Sequence, residues 1–244
     1  MKRDISVSDV LRSLVLWFSG TVAMVFFASL AIIFGFFDKT GNLSHRISSV
    51  WARELLRLAR IKVDVRGVEN VSKGGPYIIA SNHQGLLDIC LMAKGIPFNY
   101  KWIVKKELVA IPFFGPALMA AKYIAIDRED GRKAMKEMQK AEVFLKNGIS
   151  VAIFPEGTRS LDGSVGEFKK GAFVLANRTK KPILPVTIDG SYNILVKGGF
   201  IVRPQKVIFT IHKPVDTASL TVEKRKALPE KIQQIVAHEV GMGD

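Results

Sequence analysis

The chain has 244 residues, with 36 Lys and Arg against 22 Asp and Glu, a formal net charge of +14 and one cysteine. This length allows one sizeable domain plus an additional segment, and a core of that size needs no disulfide or metal. A single cysteine excludes a disulfide framework and a cysteine-based zinc site; Cys90 lies in an apolar run and is expected to be buried. The positive charge favours anionic partners: phospholipid surfaces, phosphorylated metabolites or nucleic acids.

An apolar segment lies near the N-terminus, where positions 13–37 carry no charged side chain. It is long enough for a membrane-spanning helix and too long for a cleaved signal peptide. Basic residues flank it on both sides, more of them on the C-terminal side, so the positive-inside rule draws both ends to the cytoplasm. Two topologies stay open, a single span with its N-terminus outside and a helix pair that enters one leaflet and returns. We favour the second, and the basic flanks disfavour a buried core helix.

A second helix is predicted at 43–59 after a turn at 38–42. Its apolar face consists of Ile47, Val50, Trp51, Leu55 and Leu58. Its basic face consists of Arg46, Arg53, Arg57 and Arg60. A basic amphipathic helix with a tryptophan suits a membrane interface. We therefore predict that residues 1–60 form a membrane-anchoring two-helix segment and that residues 61–244 form a separate domain.

The pattern beyond residue 60 is typical of an α/β domain. Runs rich in β-branched and aromatic residues predict strands at 61–67, 77–80, 99–104, 123–126, 150–154, 183–188 and 206–212. Helical patterns lie between them, most clearly at 131–147 and 168–178 and after Pro229. This alternation predicts a largely parallel sheet flanked by helices, with functional sites at the carboxyl ends of the strands.

His83 lies where a predicted strand gives way to a helix predicted at 86–93, and Asp88 lies in the first turns of that helix. From a loop, the ring can fold back over the first helical turn, so that one nitrogen meets the Asp88 carboxylate and the other faces a substrate. Such a pair is the base half of a catalytic triad without its serine. The alternative is that Asn82 caps the helix beside a structural histidine, and the spacing alone does not decide.

A second loop, Phe-Pro-Glu-Gly-Thr-Arg-Ser at 154–160, also follows a predicted strand. Arg159 can contact phosphate oxygens with two N–H groups, and the backbone of Gly157 and Thr158 can approach an anion closely. Glu156 is expected to brace the loop, because an unpaired carboxylate would repel a phosphate. Asn82 is likewise expected to brace a loop or to bind substrate. Backbone N–H groups at Gly157, or near the start of the helix that follows His83, are candidate donors to an oxyanion.

These two blocks are accompanied in order by others at 105–115, 126–128, 168–172 and 182–186. Together they resemble the glycerophospholipid acyltransferases, most closely the bacterial 1-acylglycerol-3-phosphate acyltransferases. The resemblance implies transfer of a fatty acyl group from a thioester to the sn-2 hydroxyl of lysophosphatidic acid, giving phosphatidic acid. It makes His83 the base that takes the hydroxyl proton, with Asp88 orienting its ring. No resident cofactor or metal is expected, and the donor is a coenzyme A or acyl-carrier-protein thioester, between which the sequence does not choose.

Further cations are assigned by position and by the resemblance. Lys105 and Arg128 follow predicted strands and are expected to help to bind the phosphate, and Lys169 could assist either that phosphate or those of the donor. The expected location is the inner membrane, with the catalytic domain facing the cytoplasm. A nucleic acid is not an expected partner, because much of the charge surrounds the membrane segment and no aromatic residues are interleaved with a basic stripe.

Some alternatives remain at this point. The same chemistry could act on glycerol-3-phosphate or another lysophospholipid. A non-catalytic basic lipid-binding protein would use His83 and Asp88 only structurally. The apolar segment at 108–121 is either core or the wall of a channel for an acyl chain.

Overall fold

The N-terminal helices form a hairpin that packs on the rest of the protein. A computed structural model describes residues 5–71, 75–127, 129–196 and 198–241. Helix α1, Val7–Gly35, begins at Ser6, whose hydroxyl accepts a hydrogen bond from the Asp9 amide. Helix α2, Asn42–Leu58, follows a turn in which the Asp38 carboxylate accepts from the Leu43 amide. The two helices contact each other and the domain that follows them.

Seven strands within the described ranges form one sheet. They are β1 Lys62–Arg66, β2 Ile78–Ser81, β3 Tyr100–Lys105, β4 Ile124–Ile126, β5 Ser150–Ile153, β6 Ile183–Asp189 and β7 Lys206–Ile211. Their spatial order is β1-β7-β6-β2-β5-β3-β4, and each neighbouring pair is parallel except β6 and β7. The predicted largely parallel sheet is confirmed.

Helices cover both faces of this sheet. The remaining helices are α3 Asp88–Gly95, α4 Phe114–Ala120, α5 Gly131–Lys146, α6 Gly171–Thr179, α7 Val222–Lys226 and α8 Leu228–His238. Side chains of β2 alternate between the two faces, as a strand requires. Ile79 packs in the cluster that includes residues of α2 and α3, and Ile78 packs in the cluster of α5, α6 and α8. The N-terminal helices α1 and α2 therefore lie on the opposite face of the sheet from α5 and α6.

The chain leaves β2 and β5 in opposite directions. The connection from β2 through α3 leads to β3, and the connection from β5 through α6 leads to β6 on the other side of β2. A reversal of this kind opens a crevice at the carboxyl ends of adjacent parallel strands. The two loops predicted to be functional follow β2 and β5, so both border this crevice.

Lys101 connects the helical hairpin to the sheet. Its side chain, on β3, is fully buried, and its ammonium group donates to the backbone oxygen of Thr40 at 2.9 Å and to that of Ala121 at 3.0 Å. Thr40 lies in the turn between α1 and α2, and Ala121 is the residue after α4. A buried cation therefore satisfies carbonyl groups from both elements.

The apolar face predicted for helix α2 is partly buried and partly exposed. Trp51 and Leu55 pack against the core, whereas Val50 is 45% exposed. The most buried residues of α2 include His45, whose Nδ1 lies 2.8 Å from the Tyr123 hydroxyl, and Ser44, whose hydroxyl donates to the Ala31 backbone oxygen. Small and hydrogen-bonded side chains thus form the contact surface, because they allow α2 to approach α1 and the sheet closely.

Candidate active site

His83 and Asp88 are in hydrogen-bond contact. Nδ1 of His83 lies 2.8 Å from Oδ2 of Asp88, which is the first residue of α3 and is fully buried. The His83 side chain keeps 19% of its surface exposed. The helix begins two residues later than predicted, so residues 82–87 form the loop that folds the ring over the first turn. The predicted contact is present, and its catalytic role stays a prediction.

The partners of Asp88 determine which ring nitrogen carries the proton. Its Oδ2 atom also accepts hydrogen bonds from the backbone N–H groups of Gln84 at 2.7 Å and Gly85 at 2.8 Å. Because Oδ2 acts as an acceptor, Nδ1 of His83 is the donor in the pair, and Nε2 retains its lone pair. Within the described ranges, Nε2 has no hydrogen-bond partner. The ring therefore presents an unpartnered nitrogen at the exposed edge of the site.

The second loop fixes the plane of the His83 ring. Phe154, the residue after β5, stacks on it with ring centroids 4.0 Å apart and planes 8° from parallel. Trp102 packs behind Phe154 at a centroid distance of 5.1 Å. Sequence reasoning missed this role of Phe154, although an aromatic residue directly after a buried strand, in a loop already singled out, was an available signal.

Glu156 braces the two loops. Its Oε1 atom accepts from the His83 amide at 2.7 Å, and its Oε2 atom accepts from the Gly166 amide at 2.9 Å. The Ser160 amide donates to the His83 backbone oxygen at 2.7 Å. Burial raises the pKa of Glu156, while the hydrogen bonds from the Gly166 and His83 amides oppose that shift. These bonds agree with the bracing expected of this residue.

Asn82 does not cap the helix after His83. It is fully buried, its Nδ2 group donates to the Ile188 backbone oxygen, and its Oδ1 atom accepts from the Ile188 amide, both at 2.8 Å. The residue before α3 is Leu87, and it makes no side-chain cap. The capping alternative is wrong because Asn82 instead ties the end of β2 to β6. Gln84, which sequence reasoning did not select, donates to the Gly163 backbone oxygen at 2.7 Å.

Arg159 is the one cation in the sequence of the second loop, 154–160. It is partly buried, and in the part of the chain that the structure describes its guanidinium makes no hydrogen bond or ion pair. Gly157 adopts a φ of +75°, and its amide donates to the Phe154 backbone oxygen at 3.0 Å. That amide is therefore engaged in a turn, which disfavours it as an oxyanion donor. Thr158 is exposed beside them.

Lys105 and Lys169 occupy the same edge of the sheet without touching His83 in the described contacts. Lys105 ends β3, and its ammonium group lies 3.4 Å from a carboxylate oxygen of Glu107. Lys169 is exposed before α6, and its amide donates to the Pro155 backbone oxygen. Arg128 lies outside the described residues. The described ranges contain no cluster of three or more His, Cys, Asp or Glu that could bind a metal.

Two apolar cavities lie between the helical hairpin and the sheet. The first encloses about 740 Å³, including space open to solvent, and Leu108, Phe114 and Leu118 line it. The second is lined in part by Leu86 and Leu87, which precede Asp88 in the sequence. Both share Met24, Trp51, Ile89 and Phe114 as walls. The segment at 108–121 therefore forms a cavity wall as well as core.

Cys90 lies in the first turn of α3, two residues after Asp88. It is buried, and burial, followed by the negative charge of Asp88, raises the pKa of its thiol to about 12. A thiol with so high a pKa is not a nucleophile at neutral pH, which agrees with its predicted place as a buried apolar residue.

The chain is similar in sequence to known acyltransferases. The family model described as Acyltransferase matches residues 62–189, more than half of the chain. A 1-acyl-sn-glycerol-3-phosphate acyltransferase of Borreliella burgdorferi is 31% identical over 196 residues, covering 78% of each chain. The chloroplastic 1-acyl-sn-glycerol-3-phosphate acyltransferase BAT2 of Brassica napus is 36% identical over 173 residues, which cover 70% of this chain and 50% of that protein. The chain thus spans about half the length of such plant relatives.

A solved structure is also similar. The crystal structure of the 1-acyl-sn-glycerophosphate (LPA) acyltransferase PlsC from Thermotoga maritima aligns with a TM-score of 0.79 and 29% identity. The alignment covers 95% of this chain and 94% of that one, so it includes the N-terminal helices as well as the sheet.

Proposed function

The chain belongs to the acyltransferase family, and from that premise we propose that it transfers a fatty acyl group from a thioester to the sn-2 hydroxyl of 1-acyl-glycerol-3-phosphate, giving phosphatidic acid. The observation that carries the proposal is the 2.8 Å contact between Nδ1 of His83 and Oδ2 of Asp88, which leaves Nε2 unoccupied. An alcohol is a poor nucleophile at neutral pH, so a base placed in this way is what the reaction requires.

In the proposed step, Nε2 of His83 accepts the hydroxyl proton while the lipid oxygen attacks the thioester carbonyl carbon. The new C–O bond forms, the C–S bond breaks, and the imidazolium returns the proton to the leaving sulfur, which departs as a thiol. Asp88 fixes the ring tautomer and stabilises the imidazolium. Proton transfer by such a base contributes roughly 10²–10⁴-fold to the rate.

Arg159 is proposed to bind the phosphate of the acceptor lipid. Its guanidinium lacks a protein partner within the described ranges, and the Ser160–His83 hydrogen bond ties its loop to the base. A guanidinium can bind phosphate oxygens with two parallel N–H bonds. Lys105 and Lys169, from the same edge, are proposed as secondary contributors, and Arg128 is proposed as another from its place in the sequence. The two apolar cavities are proposed to hold acyl chains, because their walls reach Leu87 on one side and Trp102 on the other.

The proposed location is the inner membrane, with the domain of residues 61–244 in the cytoplasm and residues 1–60 inserted in one leaflet. Among the described residues, α1 is the one helix long and apolar enough, by length and composition, to cross a membrane. Yet α1 contacts the domain from Ser13, which accepts from the Val202 amide, to Gly35, which faces Ala120. These contacts along the length of α1 support a position in the plane of the membrane. Exposed side chains such as Phe18 and Phe26 would enter the lipid.

The decisive experiment measures acyl transfer by purified protein from one thioester to lysophosphatidic acid, glycerol-3-phosphate and a lysophospholipid with a different head group. We expect lysophosphatidic acid to be preferred, and we expect His83→Ala and Asp88→Asn each to lower kcat by roughly 10²–10⁴-fold. His238→Ala, which removes an exposed histidine at the end of α8, is the matched control. Full activity of His83→Ala would refute the mechanism. Preference for another acceptor would refute the substrate, and lipid binding without turnover by the unaltered protein would refute catalysis.

A further inference from the structure

Three exposed apolar side chains lie in loops at the same edge of the sheet as His83. They are Leu86 after β2, Phe113 after β3 and Phe200 after β6, and they are 40%, 46% and 44% exposed. Strands β2, β3 and β6 run in the same direction, so the loops that follow them share the carboxyl edge of the sheet. Single exposed apolar residues are common on protein surfaces, whereas a group of them at one edge indicates an interaction surface. These three residues form what is called here the apolar collar.

Each residue of the apolar collar belongs to a wall of the second apolar cavity or adjoins one. Leu86 is itself a wall residue and is exposed, so the cavity reaches the surface there. Phe113 precedes Phe114, which is another wall residue. The ring of Phe200 stacks on that of the wall residue Trp17 with centroids 6.2 Å apart, and the Phe200 backbone oxygen accepts from the indole N–H at 2.9 Å. The collar therefore lies where this cavity meets the outside of the protein.

The backbone at Phe113 is strained while its side chain is exposed. Its φ is +61° and its ψ is −50°, and the Phe114 amide donates to the Pro112 backbone oxygen at 2.6 Å, which closes a three-residue turn. This conformation is rare for residues other than glycine and costs free energy. It accompanies an exposed side chain at Phe113 and a cavity-wall side chain at Phe114. Because strain of this kind clusters at functional sites, a phenylalanine exposed at such a position indicates a contact with an external partner.

The exposed side of α1 indicates what that partner is. Phe18, Val22 and Phe26, spaced four residues apart on a helix of membrane length, form an exposed apolar stripe. Trp17 is adjacent to Phe18 and stacks on Phe200, so the apolar collar continues this stripe onto the loops of the α/β domain. A bilayer that takes up the stripe lies directly beside the collar, and a protein partner there would compete with the lipid. Phenylalanine, leucine and tryptophan are typical of a surface that enters the membrane interface.

We propose that the apolar collar enters the phospholipid bilayer as a second membrane contact, so that the second cavity opens directly into lipid. This inference rests on the proposed function, in particular on the membrane location, and adds which loops of the α/β domain reach the lipid. A lysophospholipid can then move its acyl chain sideways from the leaflet into the cavity without exposing that chain to water. Holding this edge at the lipid surface also raises the local concentration of substrate near His83.

The test places a fluorophore on single cysteines of the full chain bound to vesicles of phosphatidylethanolamine and phosphatidylglycerol. Leu86→Cys, Phe113→Cys and Phe200→Cys put the label in the apolar collar, and the native Cys90 is buried. When the vesicles contain lipids with a quencher on the acyl chain, we expect the fluorescence of each label to fall about twofold. Val68→Cys is the matched control, because Val68 is 42% exposed but follows β1 at the opposite edge of the sheet. Its fluorescence should not change.

Phe18→Cys, on the exposed stripe of α1, separates a failure of this inference from a failure of the proposed location. Quenching of that label with no quenching at position 113 or at position 200 would overturn the collar as a membrane contact and leave the location intact. No quenching at any position would refute membrane insertion and this inference with it. Burial of the collar labels that increases with protein concentration in the absence of lipid would assign the collar to a second copy of the chain and would also overturn the inference. Quenching does not require turnover, so a failure of acyl transfer would be seen separately.

A second measurement relates the contact to turnover. Phe113→Gly combined with Phe200→Ser removes two rings that are not walls of the cavities, and glycine adopts the positive φ at position 113 without strain. We expect KM for lysophosphatidic acid in vesicles to rise roughly tenfold. For a short-chain lysophosphatidic acid dissolved as monomers, we expect kcat/KM to stay within about twofold, which also verifies folding. Val68→Ser combined with Val143→Ser, exposed valines at the opposite edge, is the control and should change neither value. An equal loss with both acceptors, or no loss with either, would contradict the contact.

Discussion

At the scale of single residues, the carboxylate of Glu156 couples His83, the proposed base, to the loop proposed to bind phosphate. One of its oxygens accepts from the His83 amide and the other from the Gly166 amide. His83 and the loop that carries Arg159 are therefore positioned by one side chain. Small displacements of that carboxylate should alter the rate more than the stability, because reaction requires the lipid oxygen and the base in a narrow range of geometry.

Gly166→Ala tests this coupling. A Cβ atom at position 166 would lie 2.9 Å from Oε2 of Glu156, and the carboxylate, the end of a flexible side chain, can shift at little energetic cost. We expect kcat to fall about tenfold with little change in the thermal midpoint. Gly171→Ala, where a Cβ atom meets nothing within 4 Å, is the control. Equal kcat values for the two variants would show that Glu156 does not position the base.

Whether the contacts of a residue could be predicted from the sequence depended on how far along the chain its partners lie. The contact between His83 and Asp88 follows from a strand that gives way to a helix, since both residues lie in one local segment. The partners of Asn82 and Phe154 do not follow in this way. Asn82 bonds Ile188, 106 positions away, and the ring of Phe154 meets His83 only because β2 and β5 are neighbours. Strand order is a tertiary property, and the alternation of strands and helices does not specify it.

At the scale of elements, helix α1 has one side that packs on the protein and another that exposes apolar side chains. Trp17 donates its indole N–H to the Phe200 backbone oxygen, and Ala31 is fully buried against the domain, whereas Phe18 and Phe26 are exposed. The sequence indicated a helix of membrane length. It did not indicate which side packs on the domain, because apolar residues surround the whole helix and the partners lie far along the chain.

The proposed one-leaflet insertion predicts that both ends of α1 lie on the cytoplasmic side. Ser8→Cys and Lys39→Cys place thiols at exposed positions near the two ends, and the native Cys90 is buried. With a membrane-impermeant maleimide, we expect both variants to react in inside-out vesicles and neither in right-side-out vesicles. Lys146→Cys, in the α/β domain, is the control for the cytoplasmic side. Labelling of Ser8→Cys from the opposite side to Lys39→Cys would instead establish a single span.

At the scale of the whole molecule, Lys101 connects the helical hairpin with the sheet through the backbone oxygens of Thr40 and Ala121. Burial lowers the pKa of Lys101 to about 8 from its ordinary 10.5, although the negative charge of Asp38 opposes the shift. The unfolded chain keeps this proton until about pH 10.5. The folded protein therefore binds fewer protons between pH 8 and 10.5, and the contribution of Lys101 to stability rises with pH across that window.

Lys101→Met removes this dependence. We expect the thermal midpoint of the wild type, relative to that of Lys101→Met, to increase from pH 8 to pH 10. Over the full window from pH 8 to 10.5, the corresponding change in the free energy of unfolding is up to about 3 kcal/mol. Both proteins are measured in the same detergent, so that other titrating groups cancel in the difference. Lys146→Met, an exposed lysine of α5, should show a constant difference from wild type. A constant or shrinking difference for Lys101→Met would contradict the lowered pKa.

The burial of Cys90 has a consequence for the products of turnover. Every cycle of the proposed reaction liberates a free sulfhydryl from the donor next to a chain with one cysteine, and that cysteine is enclosed in α3 with a pKa near 12. The side chain offers the donor no thiolate that could intercept its acyl group or form a mixed disulfide with the released thiol. Self-acylation and oxidative trapping are thereby avoided at the one position where sulfur chemistry could compete with the lipid hydroxyl.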